Sequence, residues 1–233
     1  YITLRDAYKS IYEALTHGGI ANGVRVKIRM VESEDIERQG APALLEGVDG
    51  ILVPGGFGDR GIEGKIAAIG QARRNQIPFF GICLGMQVLA LEFARNVCKL
   101  TGANSTEFDD MNPHPVIHLM EDQRYIDLVG GSMRLGAYKC KLTPGSLAEA
   151  AYSSSMISER HRHRYEFNND YREQLSKAGM LLSGVSENDL LVEILEYPPN
   201  RFHLGVQFHP EFKSRPNRPH PLFTALLKAA IKE

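Results

Sequence analysis

Cysteine is scarce in this 233-residue chain: Cys83, Cys98 and Cys140 stand at irregular spacing, with no Cys-x-x-Cys pair. An odd, unpatterned set of three argues against a disulfide framework and a cysteine zinc site, and fits a reducing cytosol. Cys98 and Cys140 read as packing residues. Net charge is equally sparse, −1 from 27 basic and 28 acidic side chains, which argues against a general nucleic-acid or membrane-surface binder. No apolar run is long enough to span a bilayer, no secretory signal is legible and no internal repeat is found. What remains is 43% hydrophobic and 24% charged, the profile of a globular chain of one generous domain or two small ones. A cytoplasmic location is expected. Tyr1-Ile2-Thr3-Leu4 reads as a start in mid-fold, so the chain is expected to be a piece of a longer polypeptide.

Periodicity predicts helices over 5–17 (stopped by Gly18-Gly19), 62–75, 85–98 and 222–231. Strands are expected over 24–31, 48–53 and 78–82, with Pro54-Gly55-Gly56-Phe57-Gly58 turning the chain after the second. Strand, turn, helix in repetition is the pattern of a parallel sheet covered on both faces. From about 114 the pattern changes to short alternating segments, 115–119, 133–142, 180–185, 190–197 and 203–208, expected as an antiparallel extension and later strands of the same sheet. The predicted fold is therefore α/β and three-layered, flavodoxin-like, with a mostly parallel central sheet. In such sheets the loops after the carboxyl ends of the strands carry the site, and Gly55-Gly56, Cys83 and His209 all fall there.

Gly81-Ile82-Cys83-Leu84-Gly85 follows an apolar run and precedes a helix. It is the thiol counterpart of the serine nucleophile elbow, a cramped turn that projects the nucleophile outward. A free thiol, with a pKa near 8.5, is mostly protonated at neutral pH; a helix N-terminus and a neighbouring histidine supply the anion. His209, at the end of an alternating strand, is the candidate base. Glu211, two residues on, lies on the same side of extended backbone and can fix the imidazole's tautomer. The amide of Leu84 and that of Gly56 are the candidate oxyanion donors.

Two other stretches imitate sites. Gly58-Asp59-Arg60-Gly61-Ile62-Glu63-Gly64-Lys65 resembles a phosphate loop, but it has one residue too many between its glycines. Moreover Ile66 stands where a magnesium-binding hydroxyl belongs. The pentad Arg160-His161-Arg162-His163-Arg164 reads as a ligand-facing or solvated loop rather than a nucleic-acid or metal site. No zinc pattern is present, and no metal is expected in this domain.

The elbow, extended by Met86-Gln87, together with Val206-Gln207-Phe208-His209-Pro210-Glu211, resembles the class I (triad) glutamine amidotransferases. Four further stretches resemble the glutaminase domains of the CTP synthase family: Pro54–Gly58, Asn104–Phe108, Gly130–Gly136 and Ser158–Glu166. The likeness runs over almost the whole chain, with Glu121–Val129 and Ser153–Ser155 less similar.

The resemblance implies that Cys83 attacks the carboxamide of L-glutamine and releases ammonia. His209 would act as acid and base, with Glu211 orienting it, and Gly56 and Leu84 would form the oxyanion hole. Gln87, Glu107 and Arg164 would contact substrate, Glu107 at the ammonium and Arg164 at the carboxylate of glutamine. It also implies one domain over 1–233, lacking a first strand ahead of Tyr1 and, further upstream in the same polypeptide, an amidoligase domain. That domain uses ATP and Mg to aminate UTP. GTP would be the activator and a homotetramer the assembly, with no cofactor in the present domain. A glutaminase of another synthase, a gamma-glutamyl hydrolase and a non-catalytic module of the same fold are the alternatives at this stage.

Overall fold

The computed structural model describes residues 5–119 and 133–231. A short 3-10 turn, Arg5–Tyr8, leads into helix α1, Lys9–Ala21; α2 (Ser33–Gln39) and α3 (Ala41–Leu44) follow. Two strand–helix units come next: β1 (Ile51–Val53) with α4 (Ile62–Arg74), then β2 (Phe79–Ile82) with α5 (Leu84–Asn96). The remainder is β3 (Ala103–Ser105), β4 (His114–Leu119), β5 (Arg134–Leu142), α6 (Leu147–Tyr152), β6 (Met156–His163), β7 (Tyr165–Phe167), α7 (Arg172–Lys177), β8 (Leu181–Ser186), β9 (Val192–Glu196), β10 (His203–Val206) and α8 (Pro221–Ala230).

Seven strands form the main sheet in the order β1-β2-β10-β9-β8-β5-β6. Strands β1, β2 and β10 are the parallel core, and β9, β8, β5 and β6 are its antiparallel extension. Strand β2 is buried along its whole length, and its side chains alternate between the two faces. Phe79 joins the apolar cluster under α2 to α5; Phe80 and Ile82 join the opposite cluster under α1, α6 and α8. Full burial of each phenylalanine stabilises the sheet sandwich by about 2 kcal/mol. Helix α5 is buried from Leu84 to Ala94, and its one acidic side chain there, Glu92, is neutralised by a two-pronged guanidinium bond from Arg73.

Four expectations change. Helix α1 runs through Gly18 and Gly19 instead of stopping there. A Cβ on Gly18 would sit 3.0 Å from the Phe223 carbonyl oxygen, so this glycine lets α1 approach α8 rather than ending the helix. Residues 24–31, alternating as a strand should, form no ladder among the described residues. A groove of about 770 Å³, lined by Val26, Ile28, Met30, Ile51, Val53 and Leu226 among others, separates them from β1. Strand β4 belongs not to the main sheet but to a second one, β3-β4-β7. Finally, the basic pentad is no loop: it lies on the end of β6 and the residue beyond, with strict alternation of exposed and buried positions. Of the stretches carrying the resemblance, Gly130–Ser132 lie outside the described residues, as do the less similar Glu121–Val129.

Candidate active site

Strand β2 delivers the chain to Cys83, whose backbone adopts φ +52° and ψ −105° before α5 begins at Leu84. A non-glycine residue there is strained by about 1–3 kcal/mol, and persists only where the surroundings fix it. They do: the Cys83 amide donates to the Val206 carbonyl at 2.7 Å, and the Cys83 carbonyl accepts from Met86 and Gln87 at 3.0 and 3.2 Å. The flanking glycines are required by contact. A Cβ on Gly85 would lie 2.2 Å from the Val53 carbonyl oxygen, and one on Gly81 would lie 2.6 Å from the backbone of Gly85. Leu84 is the first helical residue, where an amide has no acceptor within the helix and is free for an anion.

His209 follows β10 and is held to β6 by its amide, which donates to the Arg160 carbonyl at 2.8 Å. Its Nδ1 lies 2.8 Å from Oε1 of Glu211. The two meet because Pro210–Lys213 form a 3-10 turn, where extended backbone is expected from the sequence. The ring and Cys83 are neighbours: a Cβ placed on Gly55 would lie 2.9 Å from Cε1 and 3.7 Å from Nε2 of His209, and 3.4 Å from Cβ of Cys83. Burial works against the imidazolium. The hydrogen bonds and negative charge of Cys83 and Glu211 outweigh it and raise the His209 pKa to about 10. A proton resting on the imidazole beside a sulfur anion is the reactive form of such a pair.

The residues expected to contact substrate have the following neighbours. Gly56 lies against the Leu84 side chain, 3.4 Å from its Cδ2 once a Cβ is imagined, so the two residues named as candidate oxyanion donors are neighbours. Glu107 is half-buried, accepts the Gly58 amide at 3.0 Å and faces the charge of exposed Arg164. Burial raises its pKa; the Gly58 hydrogen bond and Arg164 pull it back. Gln87 is buried and donates to the Tyr165 carbonyl at 3.0 Å and to Oε1 of Gln207 at 3.2 Å.

The pentad divides its labour by strand alternation. Arg160, Arg162 and Arg164 face outward, while His161 and His163 are buried and share a hydrogen bond of 2.9 Å. Behind them lie Glu193, Glu166 and Arg134. Burial and the Arg134 charge keep both imidazoles neutral, with the His163 pKa down at about 3. Among the described residues no group of three or more His, Cys, Asp or Glu is placed to hold a metal.

Three further residues pack on or reach Cys83 and His209. Gly55 matters more than Gly56 for packing, since a Cβ on it would meet Cε1 of His209 at 2.9 Å. The Phe212 ring stacks on the His209 imidazole, centroids 5.4 Å apart. Gln207 reaches the sulfur of Cys83 at 3.8 Å. A signal for Gln207 was present: it is the lone polar side chain between Leu204 and Phe208, directly before the histidine.

The family profile for glutamine amidotransferase class-I matches residues 3–229. The chain belongs to that family. Within the class-I amidotransferases it is similar to the CTP synthases of Geotalea uraniireducens (58% identical over 231 residues) and Ruminiclostridium cellulolyticum (58% over 232). These matches take in 99% and 100% of the present chain and 43% of each relative, so it spans less than half the length of those proteins. Among solved structures, the glutaminase domain of Trypanosoma brucei CTPS with bound acivicin superimposes with a TM-score of 0.93 at 43% identity. That match covers 99% of this chain and 90% of the other. The chain is accordingly a glutamine amidotransferase domain of the CTP synthase kind. No helix among the described residues is long and apolar enough to cross a membrane.

Proposed function

We propose that Cys83, His209 and Glu211 hydrolyse L-glutamine to glutamate and ammonia. Sγ of Cys83 attacks the carboxamide carbon, and the oxyanion is taken by the amides of Leu84 and Gly56. The proton that left the thiol for His209 passes to the departing nitrogen, and ammonia leaves. Water, deprotonated by the same imidazole, then cleaves the glutamyl thioester. Glu211 fixes the ring so that one nitrogen always faces the sulfur. Glu107 receives the substrate's ammonium and Arg164 its carboxylate, while Gln87 can offer only its Oε1, because both its amide hydrogens are committed.

The observation that carries this reading is the strained Cys83 elbow beside an imidazole that Glu211 grips at 2.8 Å. Acivicin, bound in the trypanosomal domain, is expected to occupy this site too. The test is intact mass after exposure to 6-diazo-5-oxo-norleucine, a glutamine-shaped electrophile. One adduct, lost in Cys83→Ser and suppressed by excess glutamine, is the expected result; no adduct on the folded intact enzyme sinks the reading.

The ammonia, on this reading, serves an amidoligase domain in the same polypeptide, which converts UTP to CTP with ATP and Mg. GTP activates the intact enzyme and a homotetramer is its assembly. The relatives' additional length leaves room for such a domain. The present chain would form one domain, and a strand preceding Tyr1 would fill the groove beside β1. Three observations support that placement: β1 has one ladder partner among the described residues, residues 24–31 alternate like an unused strand, and the lining of the groove between them includes the apolar Val26, Ile28, Met30, Ile51 and Val53.

A further inference from the structure

Two contacts on the Cys83 sulfur are of opposite kinds. The Arg162 carbonyl oxygen lies 3.9 Å from Sγ and can accept from a thiol, but it repels a thiolate. Nε2 of Gln207 lies 3.8 Å from Sγ and can only donate.

The orientation of that amide follows from a chain of constraints. The Tyr165 carbonyl can only accept, so the group of Gln87 that faces it at 3.0 Å must be NH2. The second hydrogen of that NH2 points to Gln207 at 3.2 Å and needs an acceptor there, which fixes Oε1 of Gln207 toward Gln87. Gln207 therefore turns its own NH2 to the sulfur. Its side chain is fully buried, so no water competes for those hydrogens.

We propose that Gln207 is a further catalytic residue of this site, a hydrogen-bond donor to the Cys83 thiolate that is aimed by Gln87 from the Tyr165 carbonyl. The inference rests on Cys83 being the nucleophile. It gives the sulfur a second stabilising partner besides His209, one whose donation does not depend on pH and which offsets the Arg162 carbonyl. It also makes Gln87 a positioning residue for the nucleophile in addition to its contact with substrate.

The test uses the intact enzyme with Gln207→Met, similar in length but without a donor, and Gln207→Glu, which turns an acceptor to the sulfur. Two quantities are read: glutamine-dependent turnover, and the pH at which iodoacetamide alkylation of Cys83 reaches half its maximal rate. Loss of one donor to a charged group predicts about a tenfold fall in turnover for Gln207→Met, with KM for glutamine little changed. Alkylation should move up by about one pH unit, the equivalent of that tenfold change. Gln207→Glu should go further in both. The surrounding ionisable groups, His209 and Glu211 on the turn after β10, His161 and His163 on β6, and Glu193 and Glu166 behind them, are common to all variants, so a shift is attributable to position 207.

Product formation from added ammonia reports that the variant is folded. Should both Gln207 variants fail that check, Gln87→Met leaves residue 207 in place and removes only its aim. It should shift alkylation in the same direction by a smaller amount. An alkylation profile superimposable on wild type, in a folded Gln207→Met or, failing that, in Gln87→Met, overturns the proposal. Failure of wild type itself to take the glutamine-shaped label overturns instead the assignment of Cys83 as nucleophile, and this inference with it.

Discussion

Cys83 and its partners sit on backbone that is over-determined, pinned by β10 and α5 and walled by glycines, whereas Glu107 and Arg164 stand half-buried and exposed at the rim. On the proposed mechanism the floor holds the reacting atoms, whose placement must be right before substrate arrives. The rim, on the same proposal, holds charges that meet charges on glutamine, and Coulomb attraction tolerates displacement better than proton transfer does. Strain and burial are therefore concentrated where geometry limits the rate, and exposure where binding does.

The comparison can be broken in three places. The largest effect is expected at the floor: Cys83→Ala in the intact enzyme should lower glutamine-dependent product formation by roughly a thousandfold or more, leaving formation from added ammonia unchanged. An equal fall in the ammonia reaction, with the protein folded, would contradict the division of labour. Next comes Gly55→Ala. Its new methyl would lie 2.9 Å from Cε1 of His209 and push the ring off the sulfur. A displacement of that order should cost about a hundredfold in kcat with little change in melting temperature. Unchanged kcat would mean that the imidazole is not held as tightly as the floor's packing implies.

The smallest effect belongs to the rim. Glu107→Gln should raise KM for glutamine by about tenfold while kcat changes little. Because burial lifts the Glu107 pKa, glutamine affinity should weaken, as pH falls, at a higher pH than an ordinary carboxylate would give. Glu107→Gln should abolish that dependence. A fall in kcat equal to that of Gly55→Ala would show the rim to be as geometrically demanding as the floor.

Much of the floor was legible in the sequence, because its residues are short-range motifs with a local reason: Gly81 and Gly85 around Cys83, and Glu211 within reach of His209. The parallel core and its helices were legible for the same reason, each being a continuous periodic segment. What was not legible depends on partners distant in the chain. Residues 24–31 have the composition of a strand but, among the described residues, no neighbour to pair with across the groove. Gly18 looks like a helix stop until Phe223 of α8 is seen against it. The pentad 160–164 looked like a solvated loop because its charge masked a period of two, and only the burial of His161 and His163 reveals β6. Gln207 was visible as a residue but not as a donor, since its role is set by Gln87, 120 positions away.

One consequence of the elbow concerns how this domain could be improved as a piece of protein and ruined as an enzyme. At φ +52° and ψ −105°, position 83 has the backbone that glycine adopts most easily. Replacing Cys83 with glycine would release the strain and remove a side chain that is nearly buried in the cluster under α1, α6 and α8. The backbone most at ease with glycine at this position thus carries a thiol instead, and relaxing it would remove the sulfur on which the proposed reaction depends.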